Sequence, residues 1–597
     1  MNRPFATITL TLALGLAARA DEPASKDKAP SKPEPSAVLM DVTLKGTIGE
    51  DPAPTGLDGA PIKDNLKGII DRIAKAKADK EVKGLVVRLR DLKVGWAKGY
   101  ELRRAIEDFR RSGKKTFAVL EMAENADYLV ATAADEIVMP EGGWLLLKGL
   151  AAEVTFYKKA FDKLGLKADM LQMGEYKGAG EPYTRTEMSP AFREELTAIL
   201  ADDYDQMVDA ISRRQGIARD EAKKLIDGGP YTPHGAKAAG LVNRVAYPDQ
   251  LETEIARGLG LKAVRLDPKY GKPKSDMADL SGFAGFMKMM QMLSGEGLRK
   301  PASKKPKVAL IYAAGLIRTG KSSSGSLLGD AVMGSDTVIQ HLREAEKDPT
   351  VKAIVLRVDS RGGSALASDL MWREVVRIEK PIVASMSDYA ASGGYYLSMG
   401  ADKVFAEPGT ITGSIGVIGG KIAVGGLLEK LGVTTDTITV GKNGTFLSMT
   451  KPFTDDEKAA MRRLMEETYK QFVSKAAEGR KMKYDDLEKL ARGRVYTGRR
   501  AKELGLVDEV GTLDDALAAA KTLGDLGEDS ELLILPRPRS LLESLLDPLE
   551  DRDVEARALA PLLPDSARRA LGRLAGVARL LESEPAALIG PCEIDIR

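Results

Sequence analysis

The sequence contains a long internal repeat, which restricts the chain to architectures built from two copies of one unit. Three pairs of segments match: 81–89 with 350–358, 134–138 with 401–405, and 230–242 with 495–507. Their offsets are 269, 267 and 265 positions. Because the offset stays nearly constant across the whole repeat, coincidence does not explain it. We therefore expect two related domains.

Each repeat alternates short apolar segments with segments of helical periodicity. Residues 85–89 and 354–358 are short runs that are apolar except for one arginine each, whereas residues 99–111 and 365–377 have the spacing of helices. Continuous apolar strands separated by helices are typical of a buried parallel sheet. The sequence therefore predicts an α/β fold, a tandem duplication of a domain with a parallel sheet.

Changes in composition set the predicted boundaries. These are a signal peptide at 1–20, a flexible linker at 21–36, a first repeat at 38–265, a Met-rich connecting segment at 266–305, a second repeat at 306–535 and a helical C-terminal tail at 536–597. An apolar run at 5–16 followed by Ala18-Arg19-Ala20 indicates export. A retained signal that anchors the chain stays open as an alternative. The methionines at 287–292 suit either a peptide or membrane contact or a packed connecting helix.

The composition excludes several classes of function. A formal net charge of +2 gives no basic field to attract nucleic acid. The single cysteine, Cys592, can form neither an intrachain disulfide nor a Cys-x-x-Cys metal site. A zinc site or a Ser-His-Asp triad would have to use His234 or His341, the two histidines of the chain. We expect no metal, no organic cofactor and no nucleic-acid partner.

A P-loop pattern at residues 315–322 is misleading. A true P-loop begins a helix at its Lys-Ser, so that the helix N-terminus faces the phosphates. Here Ser323-Ser324-Gly325-Ser326 follows, which is loop composition, and the aligned segment of the first repeat lacks Lys-Ser. We therefore reject an NTPase site at this segment.

A serine with small neighbours marks the second repeat. Ser392 follows the predicted strand 382–385 and precedes Gly393-Gly394, so it lies at a strand-to-helix turn where a hydroxyl can meet a substrate carbonyl. Upstream, Gly362 and Gly363 follow another strand and offer backbone N–H groups to an oxyanion. On these residues alone, two tight glycine turns are the better interpretation.

Together the motifs resemble the long, two-repeat form of signal peptide peptidase A. That family has an Ala-Ser-Gly-Gly-Tyr segment, here at 391–395, and a Thr-Gly-Ser-Ile-Gly loop, here at 412–416. It also has a Tyr-Lys…Glu-Pro…Met-Ser-Pro stretch, here at 176–190. The resemblance covers roughly residues 40–525. It implies a fold like the Clp-protease/crotonase superfamily, a tetrameric ring and degradation of cleaved signal peptides at the membrane.

The resemblance also implies residue roles. Ser392 is the expected nucleophile, Lys177 the general base, Gly363 and Gly393 the oxyanion donors, and Ser414 a residue that orients the lysine. Lysine accepts a proton only when neutral, so the site must lower a pKa of about 10.4.

The repeat alignment agrees with this division of labour. Ser392 aligns with Asn125, and Lys177 aligns with Gly444, so each repeat keeps one member of a Ser/Lys pair. Lys442, beside the Gly444 position, is a rival base.

One departure concerns the oxyanion loop. The family usually has Asn-Ser-Pro-Gly-Gly there, whereas this chain has Asp359-Ser360-Arg361-Gly362-Gly363.

The sequence and the resemblance together predict an exported serine endopeptidase for apolar extended peptides. We expect it in the periplasm, either soluble or associated with the inner membrane. The alternatives are a crotonase-like acyl-CoA enzyme and a non-catalytic scaffold.

Overall fold

The computed structural model describes the chain in several stretches, which are residues 37–52, 54–55, 61, 63–272, 303–323, 331–538, 586–589 and 595–596. The predicted signal peptide and linker, the methionines at 287–292 and most of the predicted helical tail lie outside these stretches. Within them, no helix combines the length and apolar character required to span a bilayer.

The first repeat alternates strands and helices. Its strands are β1 (Val38–Thr47), β2 (Val82–Lys93), β3 (Lys115–Leu120), β4 (Met122–Ala123), β5 (Glu136–Met139), β6 (Trp144–Leu145), β7 (Ala152–Glu153), β8 (Lys167–Met173), β9 (Arg244–Val245) and β10 (Arg265–Asp267). Its helices are α1 (Leu66–Ala78), α2 (Trp96–Arg111), α3 (Asn125–Ala131), α4 (Lys158–Leu164), α5 (Glu181–Thr184), α6 (Pro190–Gln215), α7 (Arg219–Asp227), α8 (Pro233–Ala238) and α9 (Leu251–Gly258).

The second repeat follows the same order, and the tail adds two strands. The strands are β11 (Lys307–Ala314), β12 (Leu316–Arg318), β13 (Val332–Gly334), β14 (Val351–Ser360), β15 (Gly362–Ser364), β16 (Ile382–Ala391), β17 (Lys403–Ala406), β18 (Ile411–Gly413), β19 (Val417–Ala423), β20 (Val495–Thr497), β21 (Glu509–Val510), β22 (Glu531–Leu535), β23 (Ala586–Ile589) and β24 (Asp595–Ile596). The helices are α10 (Ser335–Lys347), α11 (Ala365–Arg377), α12 (Gly393–Ser398), α13 (Gly425–Lys430), α14 (Asp455–Gly479), α15 (Tyr484–Leu490), α16 (Gly498–Glu503) and α17 (Leu513–Leu523).

Each repeat builds its own largely parallel sheet. The first sheet has the order β10-β1-β2-β3-β5-β9. The second contains the equivalent run β22-β11-β14-β16-β17-β21, and β18 and β20 continue it from the end of β16. Val42 pairs with Val87 in the first sheet, and Ile311 pairs with Leu356 in the second, at the same offset of 269. The predicted tandem α/β fold with parallel sheets is confirmed.

A third sheet joins the two repeats. Its order is β13-β12-β15-β23-β19-β8, so the second repeat supplies most strands and the first repeat supplies β8. β8 runs antiparallel to β19, from Met173 opposite Val417 to Lys167 opposite Ala423. The chain segment that follows β8 is therefore held against the second repeat.

Buried ion pairs also fix the contact between the repeats. Arg357 of β14 donates to the two carboxylate oxygens of Glu50 at 2.9 and 3.0 Å, and its guanidinium lies 3.0 Å from Glu101. Burial alone would raise the pKa of Glu50, but Arg357 and Lys98 lower it to about 2. Buried charges are tolerated when they are paired in this way, and unpairing them is costly. This network therefore stabilises one relative orientation of the repeats.

Candidate functional site

Ser392 occupies a strained turn between a strand and a helix. β16 ends at Ala391 and α12 begins at Gly393, so the serine connects the two elements. Its φ is 56°, a positive value that residues other than glycine rarely adopt. Its side chain is fully buried. The serine therefore lies at the strand-to-helix turn that the sequence predicted.

Lys177 reaches this serine from the first repeat of the same chain. Its Nζ lies 2.7 Å from Ser392 Oγ, 2.7 Å from the carbonyl oxygen of Ser414 and 2.9 Å from Ser414 Oγ. Lys177 follows β8, and the pairing of β8 with β19 carries it across the boundary between the repeats. The structure thus brings together three of the residues selected from the sequence.

The environment of Lys177 favours its neutral form. Its side chain is 1% exposed, and burial holds its pKa well below the ordinary lysine value. The carboxylate of Glu195 acts in the opposite direction and raises the pKa of Lys177. Burial in turn raises the pKa of Glu195 to about 8. Oε1 of Glu195 accepts the Val495 N–H at 2.5 Å, whereas Oε2 has no hydrogen-bond partner among the described residues.

Two further residues of the site were missed at the level of sequence. Glu195 is one, and nothing in its surroundings along the chain distinguishes it from the exposed Glu194. The other is Gly493, whose φ is 82° and whose added Cβ would lie within 2.8 Å of the Lys177 backbone and Cβ. A side chain at Gly493 would therefore displace Lys177.

The glycines of the predicted oxyanion loop lie beside Ser392. An added Cβ on Gly362 would stand 2.7 Å from the Gly393 backbone nitrogen and 2.0 Å from the carbonyl oxygen of Leu588. That carbonyl oxygen and the Gly393 nitrogen therefore share one small space. Gly363 lies directly opposite Leu588 in the strand register.

Leu588 belongs to β23, a tail strand that fills the groove between β15 and β19. β23 is antiparallel to both neighbours, with Ala587 opposite Ser364 on one side and opposite Ile418 on the other. Ala587 and Leu588 are fully buried. Although a helix was predicted for 536–597, the described segments 586–589 and 595–596 of that tail are strands. The groove beside Ser392 therefore holds a short apolar segment of the chain's own tail in extended form.

The departures in the oxyanion loop have structural partners. Asp359 accepts a hydrogen bond from Lys98 Nζ at 2.7 Å and from the Tyr389 N–H at 3.2 Å. The Arg361 guanidinium lies 4.4 Å from the centre of the Tyr389 ring. The first repeat supplies Lys98, so this part of the loop is held by the contact between the repeats.

Other candidates lie elsewhere. Lys442 is exposed in the turn that follows β19 and α13, and the described residues show no contact between it and Ser392. His234 lies in α8 and His341 in α10, and neither donates to or accepts from Ser392. Asn125, the counterpart of Ser392, accepts a hydrogen bond from the Lys148 N–H. After the P-loop pattern at 315–322, the next described helix starts only at Ser335, so no described helix begins at Lys321-Ser322.

Comparisons with known proteins agree with this architecture. The family model "Peptidase family S49" matches twice, at residues 108–262 and 374–527. "Serine protease SPPA, chloroplastic" of Arabidopsis thaliana is 32% identical over 85% of this chain and 72% of its own length. "Protease 4" of Salmonella typhi is 32% identical over 78% of this chain and 73% of its own. "Putative signal peptide peptidase SppA" of Enterococcus faecium is 35% identical over 45% of this chain and 78% of its own.

The duplicated fold and these matches define the chain as a serine protease. More specifically, it belongs to peptidase family S49. A relative that aligns with less than half of this chain over most of its own length is consistent with the duplication of a single unit.

Proposed function

We propose that the protein is an exported endopeptidase in which Ser392 attacks the peptide bond and Lys177 serves as general base. The observation that carries this proposal is the distance of 2.7 Å between Lys177 Nζ and Ser392 Oγ, in a site where both side chains are buried. A nucleophile and its base must lie within hydrogen-bond reach, and these two do.

Ser414 gives the lysine its direction. A neutral amine has two N–H groups and one lone pair. The carbonyl oxygen of Ser414 only accepts, so one N–H points to it, and Ser414 Oγ accepts the second. The lone pair then faces the Ser392 hydroxyl and takes its proton as Oγ attacks the carbonyl carbon.

The remaining steps follow acyl-transfer chemistry. The N–H groups of Gly393 and Gly363 stabilise the oxyanion of the tetrahedral intermediate. Protonated Lys177 donates its proton to the leaving amine. The C–N bond of the substrate then breaks, and the acyl group remains as an ester on Ser392 Oγ. Water, deprotonated by the neutral lysine, then hydrolyses that ester. No metal or organic cofactor takes part in these steps.

The substrates proposed are apolar peptides in extended form, such as remnants of cleaved signal peptides. The way in which β23 fills the groove supports this substrate class, because its backbone pairs with both walls and Leu588 is buried among apolar side chains. We further propose a periplasmic location, soluble or peripherally associated with the inner membrane, and assembly into a homotetramer.

A direct assay separates this function from that of an acyl-CoA enzyme. We expect the purified protein to cleave the octapeptide Ser-Glu-Pro-Ala-Ala-Leu-Ile-Gly, the sequence of residues 583–590, after leucine. A control peptide with aspartate in place of that leucine should be cleaved at least about tenfold more slowly, because the charge would be buried in the apolar groove. Turnover of an acyl-CoA thioester without cleavage of either peptide would contradict the proposal.

The pH dependence tests the lysine base. Only neutral Lys177 accepts a proton, so kcat/KM should fall as the pH drops through the lowered pKa of Lys177. Glu195→Gln removes a carboxyl group that raises that pKa to the extent that it is ionised, and the amide oxygen of glutamine can still accept the Val495 N–H. The acid limb of the profile should therefore move to lower pH, by up to about one unit.

The control for this measurement is Glu194→Gln, which changes the exposed neighbour on the same helix and should leave the acid limb in place. A wild-type profile that stays flat down to about pH 5 would argue against a lysine base. A shift of the Glu195→Gln limb to higher pH would contradict the electrostatic role of Glu195.

A further inference from the structure

Lys98 of α2 lies between two carboxylates of the second repeat. Its Nζ is 2.7 Å from Asp359 Oδ2 and 3.4 Å from Asp388 Oδ2. A third carboxylate, that of Glu50, is 4.0 Å away and is already paired with Arg357. Burial lowers the pKa of Lys98, but the surrounding carboxylates raise it by more, so it lies above the ordinary lysine value. Lys98 is therefore a cation at neutral pH.

The two carboxylates stand on elements that carry catalytic groups. Asp359 is close to the end of β14 and directly precedes the loop that contains Gly363. Asp388 lies on β16, four residues before Ser392. The oxyanion donors assigned above, Gly363 and Gly393, follow these two strands. Their spacing therefore depends on how the ends of β14 and β16 are held together.

Asp359 connects the two strands where their pairing is irregular. The register between β14 and β16 shifts between Val358 and Ser360, so Asp359 lies at the shift. Its Oδ1 accepts the Tyr389 N–H of β16 at 3.2 Å. The other oxygen of the same carboxylate accepts the hydrogen bond from Lys98. One side chain thus joins β14, β16 and the first repeat.

Asp388 receives the N-terminus of α2. Its Oδ2 accepts the Gly95 N–H at 3.1 Å, and its Oδ1 accepts the backbone N–H of Lys98 at 3.0 Å. Gly95 directly precedes α2, so a carboxylate of the second repeat caps a helix of the first. An added Cβ on Gly95 would stand 2.4 Å from that carboxylate. This close approach fixes the backbone from which the Lys98 side chain reaches Asp359.

The first repeat has a different arrangement at the same positions. Arg90 corresponds to Asp359 at the offset of 269, and Glu121 corresponds to Asp388 at the offset of 267. Arg90 and Glu121 pair directly at 2.5 Å, and their side chains are 44% and 40% exposed. In the second repeat both positions are acidic and are at most 17% exposed. Their cation comes from the other repeat.

We propose that Lys98 is a positioning residue for the oxyanion loop, because its charge allows two carboxylates to stand together where β14 and β16 end. This inference rests on the proposed function. Without the cation, Asp359 and Asp388 would face each other in a site where little water screens their repulsion. The strand ends would then separate and carry the Gly363 N–H away from the oxyanion. The first repeat thus supplies a positioning group in addition to Lys177.

Steady-state kinetics with the octapeptide of residues 583–590 test this role. Lys98→Met removes the charge and keeps most of the length of the side chain. We expect kcat to fall about 10- to 10²-fold and KM to change less than about twofold, because displaced oxyanion donors weaken mainly the transition state. Arg104→Met removes another cation of α2, 3.9 Å from Asp515 of the second repeat, and should leave kcat unchanged. An unchanged kcat in Lys98→Met, or a change in KM alone, would overturn the proposal.

A second substitution separates charge from packing. Asp359→Asn removes one of the two carboxylates, and the amide oxygen of asparagine can still accept the Tyr389 N–H. In Lys98→Met/Asp359→Asn, the cation and one carboxylate are lost together, so we expect kcat to recover to within about threefold of the wild-type value. If Lys98 acted only by filling space, the second substitution would restore nothing. A double variant no more active than Lys98→Met would therefore overturn the proposal, whether or not Lys98→Met is folded.

The same measurements distinguish this inference from the proposed function. A wild-type chain that does not cleave the octapeptide, or a Ser392→Ala chain that does, would contradict the proposed function itself. An active wild-type chain with an equally active Lys98→Met variant would remove only the role of Lys98.

Discussion

Ser392→Ala is expected to reduce kcat for peptide hydrolysis by at least about 10⁴-fold, and Lys177→Met by about 10²–10⁴-fold. Loss of the nucleophile in a serine peptidase costs about 10⁶ in kcat, because the remaining oxyanion donors and binding contacts give only residual catalysis. Loss of the base leaves the hydroxyl of Ser392 without a proton acceptor at 2.7 Å. Methionine fills most of the volume of Lys177 and lacks the amine, so it limits damage to packing. Initial rates with the octapeptide described above measure both effects.

The control for Lys177→Met is Lys442→Met. Lys442 was the rival base in the sequence, and the structure places it in an exposed turn away from Ser392. Its replacement should change kcat less than about twofold. A Ser392→Ala protein with activity near that of the wild type would contradict the assignment of the nucleophile. A Lys442→Met protein as inactive as Lys177→Met would move the base to the second repeat.

The second large effect concerns the separation of the repeats. A chain of residues 300–597 is expected to retain less than about 1% of the full-length rate, because it carries Ser392 but not Lys177 and positioned proton transfer contributes about 10²–10⁴-fold. A chain of residues 37–267 has no nucleophile. Co-expression should restore activity through the pairing of β8 with β19, which needs no covalent connection.

Co-expression is the more informative arm of this experiment. Arg357 is fully buried against Glu50 and Glu101, so each half alone exposes one side of an ionic contact. Circular dichroism establishes whether the isolated half 300–597 is folded. If that folded half cleaves the octapeptide at the full-length rate, the base lies within the second repeat and a dyad across the repeats is wrong.

The repeat in the sequence accounts for most of the fold. Equal offsets place Val42 with Val87 and Ile311 with Leu356, because strands buried on both faces must be apolar wherever the unit is copied. The family resemblance implied the pairing of Ser392 with Lys177, and the same comparison agreed with it, since each repeat retained one partner. The position of Ser392 could be recognised from the local sequence, because the strand-to-helix turn needs small residues beside it, here Ala391 and Gly393.

Contacts between distant segments could not be predicted in the same way. Glu195 affects Lys177 only because α6 packs beside the second repeat, where its carboxylate meets the Val495 N–H. The tail was predicted as a helix from leucine spacing, yet Ala586–Ile589 forms a strand because two open strand edges flank it. Asp359 differs from the residue that the family usually has there, and its partner, Lys98, comes from the other repeat.

Labelling with a fluorophosphonate tests the central claim most directly, because the probe reacts covalently with an activated serine. Peptide mapping after labelling should place the adduct on Ser392 of the wild-type chain. The rate of labelling should fall by at least about 10²-fold in Lys177→Met, since positioned proton transfer contributes about that much, and remain unchanged in Lys442→Met. An adduct on another serine, or a labelling rate that Lys177→Met leaves unchanged, would contradict the pairing of Ser392 and Lys177 as nucleophile and base.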